Sequence, residues 1–242
     1  MDIKESADHE WIDIHIERRR VIWISVLVLA GVLLLAIFTV NMVQDLAERV
    51  VTPRAYVPEQ RVPETARIPD VSDIKGYAAA SARAFERFLD EADRREIYTR
   101  LQHFLHINKV DGVLPSYQLL RQGSDWQEIG EPPFALPPEQ NWESMVDTLR
   151  VIQEEIIPRI GPVTVLSGWR TSSYNAKAGG SKRSKHMHFC GVDLVPERDY
   201  SRKELVPILR DIHRDVGKKW DMGLGIYSGV RFHVDTCGYR RW

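Results

Sequence analysis

The stretch that decides the fold is SGWRTSSYNAKAGGSKRSKHMHFCGVD, residues 167–193, and FHVDT, residues 232–236, completes it near the C-terminus. The two segments hold three histidines and two aspartates in or beside predicted strands: His186, His188, His233, Asp193 and Asp235. A catalytic zinc ion usually takes three nitrogen or oxygen ligands from the protein and leaves a fourth position for water. Neutral imidazole and carboxylate suit this metal, and the scarcity of sulfur argues against a structural thiolate site. The two segments therefore predict a zinc centre.

The spacing of these residues restricts how they can meet. His233 and Asp235 are two positions apart on a predicted strand, so their side chains point to the same face. His186 and Asp193 are seven positions apart, and a straight strand would aim them to opposite faces. They converge only if the chain bends between them, and we expect the bend at Gly191. A polar residue at a strand end is the simpler interpretation of any one histidine, but five such residues around one sheet favour a site.

Short predicted strands and amphipathic helices surround this region. The predicted strands are VTVLS (163–167), GVDLV (191–195), GLGIYS (223–228) and VRFHVDT (230–236). Helices with an apolar stripe are predicted over 142–157, ended by Pro158 and Gly161, and over 201–216. Because the last two strands are joined by a short turn, the pattern indicates an α+β domain with a small antiparallel sheet and flanking helices.

The N-terminal part of the chain predicts a membrane anchor. Residues 21–40, VIWISVLVLAGVLLLAIFTV, carry no charge and are long enough to span a bilayer as a helix. Arg18, Arg19 and Arg20 precede this run, which predicts a cytoplasmic tail over 1–20 and places everything after about residue 43 outside the inner membrane. A cleaved signal peptide is the alternative. The length of the run and the lack of a clear small-x-small cleavage site favour an uncleaved anchor over 21–43.

Three further parts follow the anchor. Residues 44–75 include four prolines and are predicted to be an extended tether. Residues 76–110 have helical periodicity and are predicted to be helical, with His103 and His106 on the surface or at the edge of the core. Residues 111–242 are the predicted site-bearing domain, and their first thirty or so residues are mostly loop.

Charge and cysteine content exclude several classes of protein. The 242 residues have a formal net charge of -1, which gives no support for nucleic-acid binding. Cys190 and Cys237 are the two cysteines, and neither lies in a CxxC pair, so a cysteine-built zinc finger and a disulfide framework are excluded. One bridge is still open, because Cys190 precedes Asp193 by three residues and Cys237 follows His233 by four. Two small buried residues without a bridge are the alternative.

The motifs resemble those of a known family. SGWRTSSYNAKAGG, SKHMHFCGVD, GLGIY and RFHVDT, in this order over about residues 140–242, resemble SGYRSxxYN, SxHxxGxAxD, GxGxY and vHvD of the zinc D-alanyl-D-alanine carboxypeptidase and murein endopeptidase family. The resemblance implies three zinc ligands, which are His186, Asp193 and His233. It also implies substrate contacts from Arg170, Ser184 and Tyr227. The planar guanidinium of Arg170 suits a peptide carboxylate or a developing oxyanion.

The sequence departs from this pattern at named positions. Phe189 replaces the glycine after the first histidine, and Gly191 replaces alanine. Val230 stands three residues before His233, where many relatives place the carboxylate of the general base. Asp235 and His188 are the two candidates for proton transfer that are left, and Asp235 could instead orient His233. The identity of the base is therefore open at this point.

These observations predict a membrane-anchored zinc metallopeptidase that hydrolyses peptide bonds of peptidoglycan, with its catalytic domain on the periplasmic or extracytoplasmic side. The class of bond, D,D or L,D, is not determined. A non-catalytic zinc-containing cell-wall-binding module on the same fold is the alternative, and Val230 favours it. A third hypothesis is a structural membrane protein whose helices over 77–107 pair with a partner.

Overall fold

A five-stranded sheet carries the residues singled out above. The structure is a computed structural model that describes residues 70–242, so the predictions for the tail, the anchor and the tether up to residue 69 lie outside the described residues. No helix within 70–242 is both long and apolar enough to cross a membrane.

The strands are β1 (Val71–Ile74), β2 (Tyr77–Ala80), β3 (Val163–Ser167), β4 (Gly191–Pro196), β5 (Gly223–Ile226), β6 (Phe232–Asp235) and β7 (Arg240–Arg241).

Helices pack around this sheet. The α-helices are α1 (Ala82–Leu89), α2 (Arg94–Ile107), α3 (Trp126–Ile129), α4 (Glu143–Val151), α5 (Ile157–Ile160), α6 (Ser172–Lys177) and α7 (Arg202–Val216). Short 3-10 helices cover Ser116–Leu120, Glu139–Asn141 and Lys185–His188, and a π-helical turn covers Ile152–Ile156.

The sheet has the order β3-β4-β6-β5-β7 and is antiparallel except for β7, which runs parallel to β5. Val192 on β4 lies opposite Val234 on β6, and both are fully buried in the hydrophobic core. Because side chains alternate along a strand, the next pair, Asp193 and His233, projects from the other face. The prediction of an α+β domain with a small antiparallel sheet is confirmed, and one face of this sheet carries the site.

The first long helix of the domain continues further than predicted. The sequence predicts a helix over 142–157, but the helix runs through α4, the π-helical turn and α5 to Ile160. Proline has no N–H to donate and crowds the preceding turn, and a wider π-helical turn before Pro158 accommodates both effects. Gly161, with a φ of 85°, then ends the helix, as predicted.

A hairpin replaces the predicted start of the helical region. The sequence predicts a tether up to residue 75 and a helical region from residue 76, but β1 and β2 pair as an antiparallel hairpin. Its two turn residues, Lys75 and Gly76, both have positive φ, the pattern of a type I′ turn. Ala79 from β2 packs with Leu166 of β3 and Val195 of β4, so the hairpin is held against the main sheet.

Candidate metal centre

Three of the predicted residues meet at one point of the sheet. Asp193 on β4 and His233 on β6 are direct cross-strand partners, and His186 reaches them from the 3-10 helix before β4. One ligand atom from each of the three lies within 4.8 Å of the other two, and all three side chains are buried. These are the three residues that the sequence resemblance implied as metal ligands.

The bend that brings His186 to the sheet is made before Gly191. Phe189 has a φ of 51° and ends the 3-10 helix in the left-handed conformation. The N–H of Arg170 donates to the carbonyl of His186 at 3.1 Å, which fixes the turn to the loop after β3. The expectation that Gly191 makes the bend is therefore wrong, because Gly191 is already a regular strand residue paired with Asp235.

Glycines leave room for the site instead. A Cβ on Gly191 would lie 2.6 Å from Cε1 of His233, closer than real Cβ contacts. On the other side of β6, a Cβ on Gly223 would lie 2.3 Å from Oδ2 of Asp235, and one on Gly225 would lie 3.0 Å from Cβ of His233. These three glycines, on the strands flanking β6, therefore leave the space that the side chains of His233 and Asp235 occupy.

The hydrogen bonds of His186 prepare it to bind a cation. Its Nδ1–H donates to the carbonyl of Gly168 at 2.8 Å, so Nε2 carries the lone pair. This Nε2 is buried, has no hydrogen-bond partner among the described residues, and lies 3.3 Å from Oδ1 of Asp193. Burial lowers the pKa of His186, which keeps the ring neutral.

His233 lies between two carboxylates. Its Nδ1 is 3.0 Å from Oδ1 of Asp193, and its Nε2 is 2.9 Å from Oδ2 of Asp235. Burial alone would lower the pKa of His233, but its contacts with the two carboxylates outweigh burial and raise it. Asp235 is itself fully buried and accepts hydrogen bonds from the guanidinium of Arg240 and the N–H of Cys237.

This arrangement separates the two roles predicted for Asp235. It contacts the ring nitrogen of His233 that faces away from Asp193, so it fixes the tautomer and orientation of the ring. The geometry therefore supports the orienting role over direct activation of water. The three facing atoms, Nε2 of His186, a carboxylate oxygen of Asp193 and Nδ1 of His233, form a nitrogen–oxygen donor set that fits zinc.

Arg170 lies at the edge of this centre and is held rigidly. Its Nε–H donates to the carbonyl of Gln122 at 2.9 Å, and Nη2 donates to Oγ of Ser167 at 2.8 Å. Nη2 also lies 3.6 Å from Oδ2 of Asp193, and the side chain is 14% exposed. Sequence analysis did not identify Gln122, which belongs to no strand or motif and reaches the site only through the fold.

A cavity of about 750 Å³ opens beside the three residues. Ser184 and Tyr227, two of the predicted substrate contacts, line it together with Arg170. Burial raises the pKa of Tyr227 to about 12, so its hydroxyl stays protonated.

His188 is exposed and is not among the residues that line the cavity, because the 3-10 helix turns it away from His186. Its position does not support the predicted role in proton transfer.

The structure adds a second arginine that sequence analysis missed. Arg231 lines the cavity and has Nη2 at 3.6 Å from Oδ2 of Asp193, the same distance as Arg170. The sequence contains a pattern that points to Arg231, since this residue stands two positions before His233 and the period of a strand places both on one face.

The two cysteines form a disulfide bond. Cys190 and Cys237 have their Cα atoms 6.3 Å apart, within the range that a bridge requires. The bond joins the residue before β4 to the segment after β6, the two strands that supply Asp193 and His233. Of the two alternatives that the sequence left open, the structure contains the bridge.

The fold and the donor set together define a small α+β domain with a buried His–Asp–His centre beside a cleft. Residues 124–234 match the model of a protein family described as Peptidase M15. This match confirms the resemblance of the region to the zinc D-alanyl-D-alanine carboxypeptidase family. Proteins of this family are zinc metallopeptidases, and the group formed by His186, Asp193 and His233 could hold such a metal ion. No curated protein and no solved structure matches the chain.

Proposed function

We propose that the protein is a zinc metallopeptidase that hydrolyses peptide bonds of peptidoglycan, of the D-Ala-D-Ala carboxypeptidase or murein endopeptidase type. The observation that carries this proposal is the convergence of His186, Asp193 and His233 within 4.8 Å beside an open cavity. An unpartnered, neutral Nε2 on a buried histidine is costly unless a ligand satisfies it, and a bound cation would do so.

Each residue of the site has a defined task in this proposal. The chemistry supplied by zinc when bound is polarisation of the scissile carbonyl and a lowered pKa, about 7, of a bound water. Arg170 donates to the oxygen on which charge develops, and its bonds to Gln122 and Ser167 hold it in place before the substrate arrives. Asp235 keeps the ring of His233 in one orientation.

A non-catalytic cell-wall-binding module is the second candidate, and Val230 is the observation that favours it. Val230 packs with Ile74 and Tyr77 of the hairpin against the cluster of Leu166 and Val195. Among the described residues that line the 750 Å³ cavity, none is Asp or Glu. A binding module needs the cleft and the metal but no general base.

We also propose that residues 21–40 anchor the protein in the bacterial inner membrane with the domain on the outer side. The uncharged run and the preceding arginines support this location. It would bring the domain to its substrate, since wall peptides lie outside the membrane.

Zinc content and murein digestion test the proposed function. We expect about one zinc ion per chain in the purified protein and new peptide products, read by mass spectrometry, from purified murein. His186→Ala and His233→Ala should lose both, because two remaining ligands do not keep a tetrahedral site occupied. His188→Ala is the matched control and should keep both. Normal zinc content without products would favour the binding module, and full zinc occupancy in His233→Ala would contradict the ligand set.

A further inference from the structure

The side-chain amide of Gln122 is buried and held in one orientation. Gln122 is 1% exposed, and its Oε1 accepts hydrogen bonds from the N–H of Thr171 at 2.9 Å and from Oγ1 of Thr171 at 2.8 Å. Its Nε2 donates to the carbonyl of Pro132 at 2.8 Å. Because the N–H of Thr171 can only donate and the carbonyl of Pro132 can only accept, the amide cannot be turned around without losing bonds to both residues.

The main-chain carbonyl of Gln122 is shared by two side chains of the site. It accepts hydrogen bonds from Oγ of Ser167 at 2.7 Å and from Nε of Arg170 at 2.9 Å. Oγ of Ser167 in turn accepts from Nη2 of Arg170 at 2.8 Å, so the three residues form a closed ring of hydrogen bonds. The planar guanidinium is thereby fixed along one edge, and its Nη1 has no hydrogen-bond partner among the described residues.

Charge alone does not fix the position of Arg170. Nη2 of Arg170 and Nη2 of Arg231 both lie 3.6 Å from Oδ2 of Asp193, so one buried carboxylate attracts two guanidinium groups. The attraction between charges has little directional preference, whereas the bonds to Gln122 and Ser167 depend on angle as well as distance. These bonds therefore set the orientation of the guanidinium between the two cavities that Arg170 lines, of about 630 and 750 Å³.

Gln122 also holds the main chain next to Arg170. Thr171, which the amide binds, directly follows Arg170 and caps α6, since its Oγ1 accepts from the N–H of Tyr174 at 3.1 Å. Without the amide, the N–H of Thr171 and the carbonyl of Pro132 would lose their partners inside the fold. The segment would then have to move to find others, because unsatisfied buried polar groups are costly.

We propose that Gln122 is a positioning residue of the site, whose buried amide and carbonyl place the guanidinium of Arg170 beside Asp193 before a substrate binds. This inference rests on the proposed function and deepens it. Gln122 lies outside residues 124–234 and is not among the residues that line either cavity, so it acts through Arg170. A reacting group displaced by about 1 Å can slow a reaction about a hundredfold, so a small movement of this segment matters.

Kinetics on a double-mutant cycle test this inference. Gln122→Met keeps the length of the side chain but removes the amide, and we expect it to lower kcat for a D-Ala-D-Ala peptide about tenfold, with zinc content unchanged and KM changed less than about threefold. Added to Arg170→Lys, it should lower kcat by no more than about a further twofold, because the planar group that it positions is gone. Effects that multiply would contradict the inference. Gln127→Met, on the exposed side of α3, is the matched control and should behave as the wild-type protein does.

Labelling with phenylglyoxal gives a readout that does not depend on activity. This reagent attacks guanidinium groups, and mass spectrometry of peptides from the zinc-loaded full chain quantifies the adduct at each arginine. We expect Gln122→Met to raise the labelling rate of Arg170 at least about fivefold, because its bonds to the carbonyl loosen. The exposed Arg210 of α7 is the internal control and should not change. If the labelling rises but the wild-type protein cuts no peptide, the proposed function fails and the role of Gln122 stands. An unchanged rate in the folded variant would overturn the inference.

Variants of Thr171 keep the inference testable if Gln122→Met does not fold. Thr171→Val keeps the shape and the N–H but removes the bond from Oγ1, so kcat should fall about threefold and the labelling of Arg170 should rise. Thr171→Ser, which retains the hydroxyl, should restore both values. Wild-type kinetics and labelling in folded Thr171→Val would refute the role of the amide.

Discussion

Arg170 is a residue whose charge and shape both matter. Its Nε and Nη2 bond to two different acceptors, the carbonyl of Gln122 and Oγ of Ser167, and Nη2 also approaches Asp193. The single ammonium group of lysine cannot reproduce this planar set of donors. We expect Arg170→Lys to lower the turnover of a D-Ala-D-Ala peptide at least about tenfold, which corresponds to ~1.4 kcal/mol of transition-state stabilisation. Steady-state kinetics with parallel zinc analysis measure this effect, with Arg210→Lys as the control. Unaltered kinetics would make Arg170 a structural residue.

Gly191 has a role that only the geometry reveals. Alanine at this position would place Cβ 2.6 Å from Cε1 and 2.8 Å from Nε2 of His233, and the ring would have to move. Because Nε2 is the atom bonded to Asp235, the movement would also disturb the orientation of the ring. We expect Gly191→Ala to weaken zinc binding about 10–100-fold, the effect typical of losing an orienting partner. Competition with a chromogenic chelator measures the affinity, and circular dichroism checks the fold. Wild-type affinity would show that the strand adjusts around the ring.

At the scale of elements, the sequence predicts the strands that carry the site and the long helices. It does not predict the β1–β2 hairpin or the position of Gln122. The period of two in residues 230–236 predicts the face shared by His233 and Asp235, and the apolar stripe over 201–216 predicts α7. In the structure this helix begins with a capping box between Ser201 and Glu204. The hairpin was missed because YAAA is a weak strand sequence that depends on contacts with β3 and β4. The position of Gln122 was missed for the same reason, since only long-range packing brings it to Arg170.

The disulfide bond ties together the elements that hold the centre. It closes a loop of 47 residues between Cys190 and Cys237, which the chain-entropy model converts to a stabilisation of about 4 kcal/mol. We expect the double substitution of Cys190→Ser and Cys237→Ser to lower the free energy of unfolding by about that amount, measured by urea denaturation. Thiol counting of the oxidised, denatured wild-type protein should find no free thiol from this pair. Two free thiols, with a stability equal to that of the double variant, would contradict the bridge.

At the scale of the whole molecule, the cleft is lined partly by residues outside the region that matches the family model. Six hairpin residues line a cavity of about 630 Å³ beside Arg170, Asp193 and Arg231, and these are Val71, Ser72, Asp73, Gly76, Tyr77 and Ala78. Val230, at the position where many relatives place the base, packs against the same apolar cluster as Ile74 and Tyr77 of the hairpin. A carboxylate at position 230 would be partly buried against this apolar cluster at a cost in desolvation, so valine suits a fold that includes the hairpin.

The location of the domain is the remaining prediction, and it concerns the whole chain. Arg18, Arg19 and Arg20 before an uncharged run predict that residues 1–20 stay in the cytoplasm and that the domain lies outside the inner membrane. A disulfide bond between Cys190 and Cys237 agrees with an oxidising compartment, whereas cytosolic thiols are kept reduced. We expect protease added to spheroplasts to remove residues 76–242, and an epitope placed before Arg18 to survive until the membrane is permeabilised. Replacing the three arginines with glutamate should reduce or invert this pattern, because positive charge sets the orientation. A wild-type domain that resists protease in intact spheroplasts but is degraded after permeabilisation would refute the topology, while the metal centre would be unaffected.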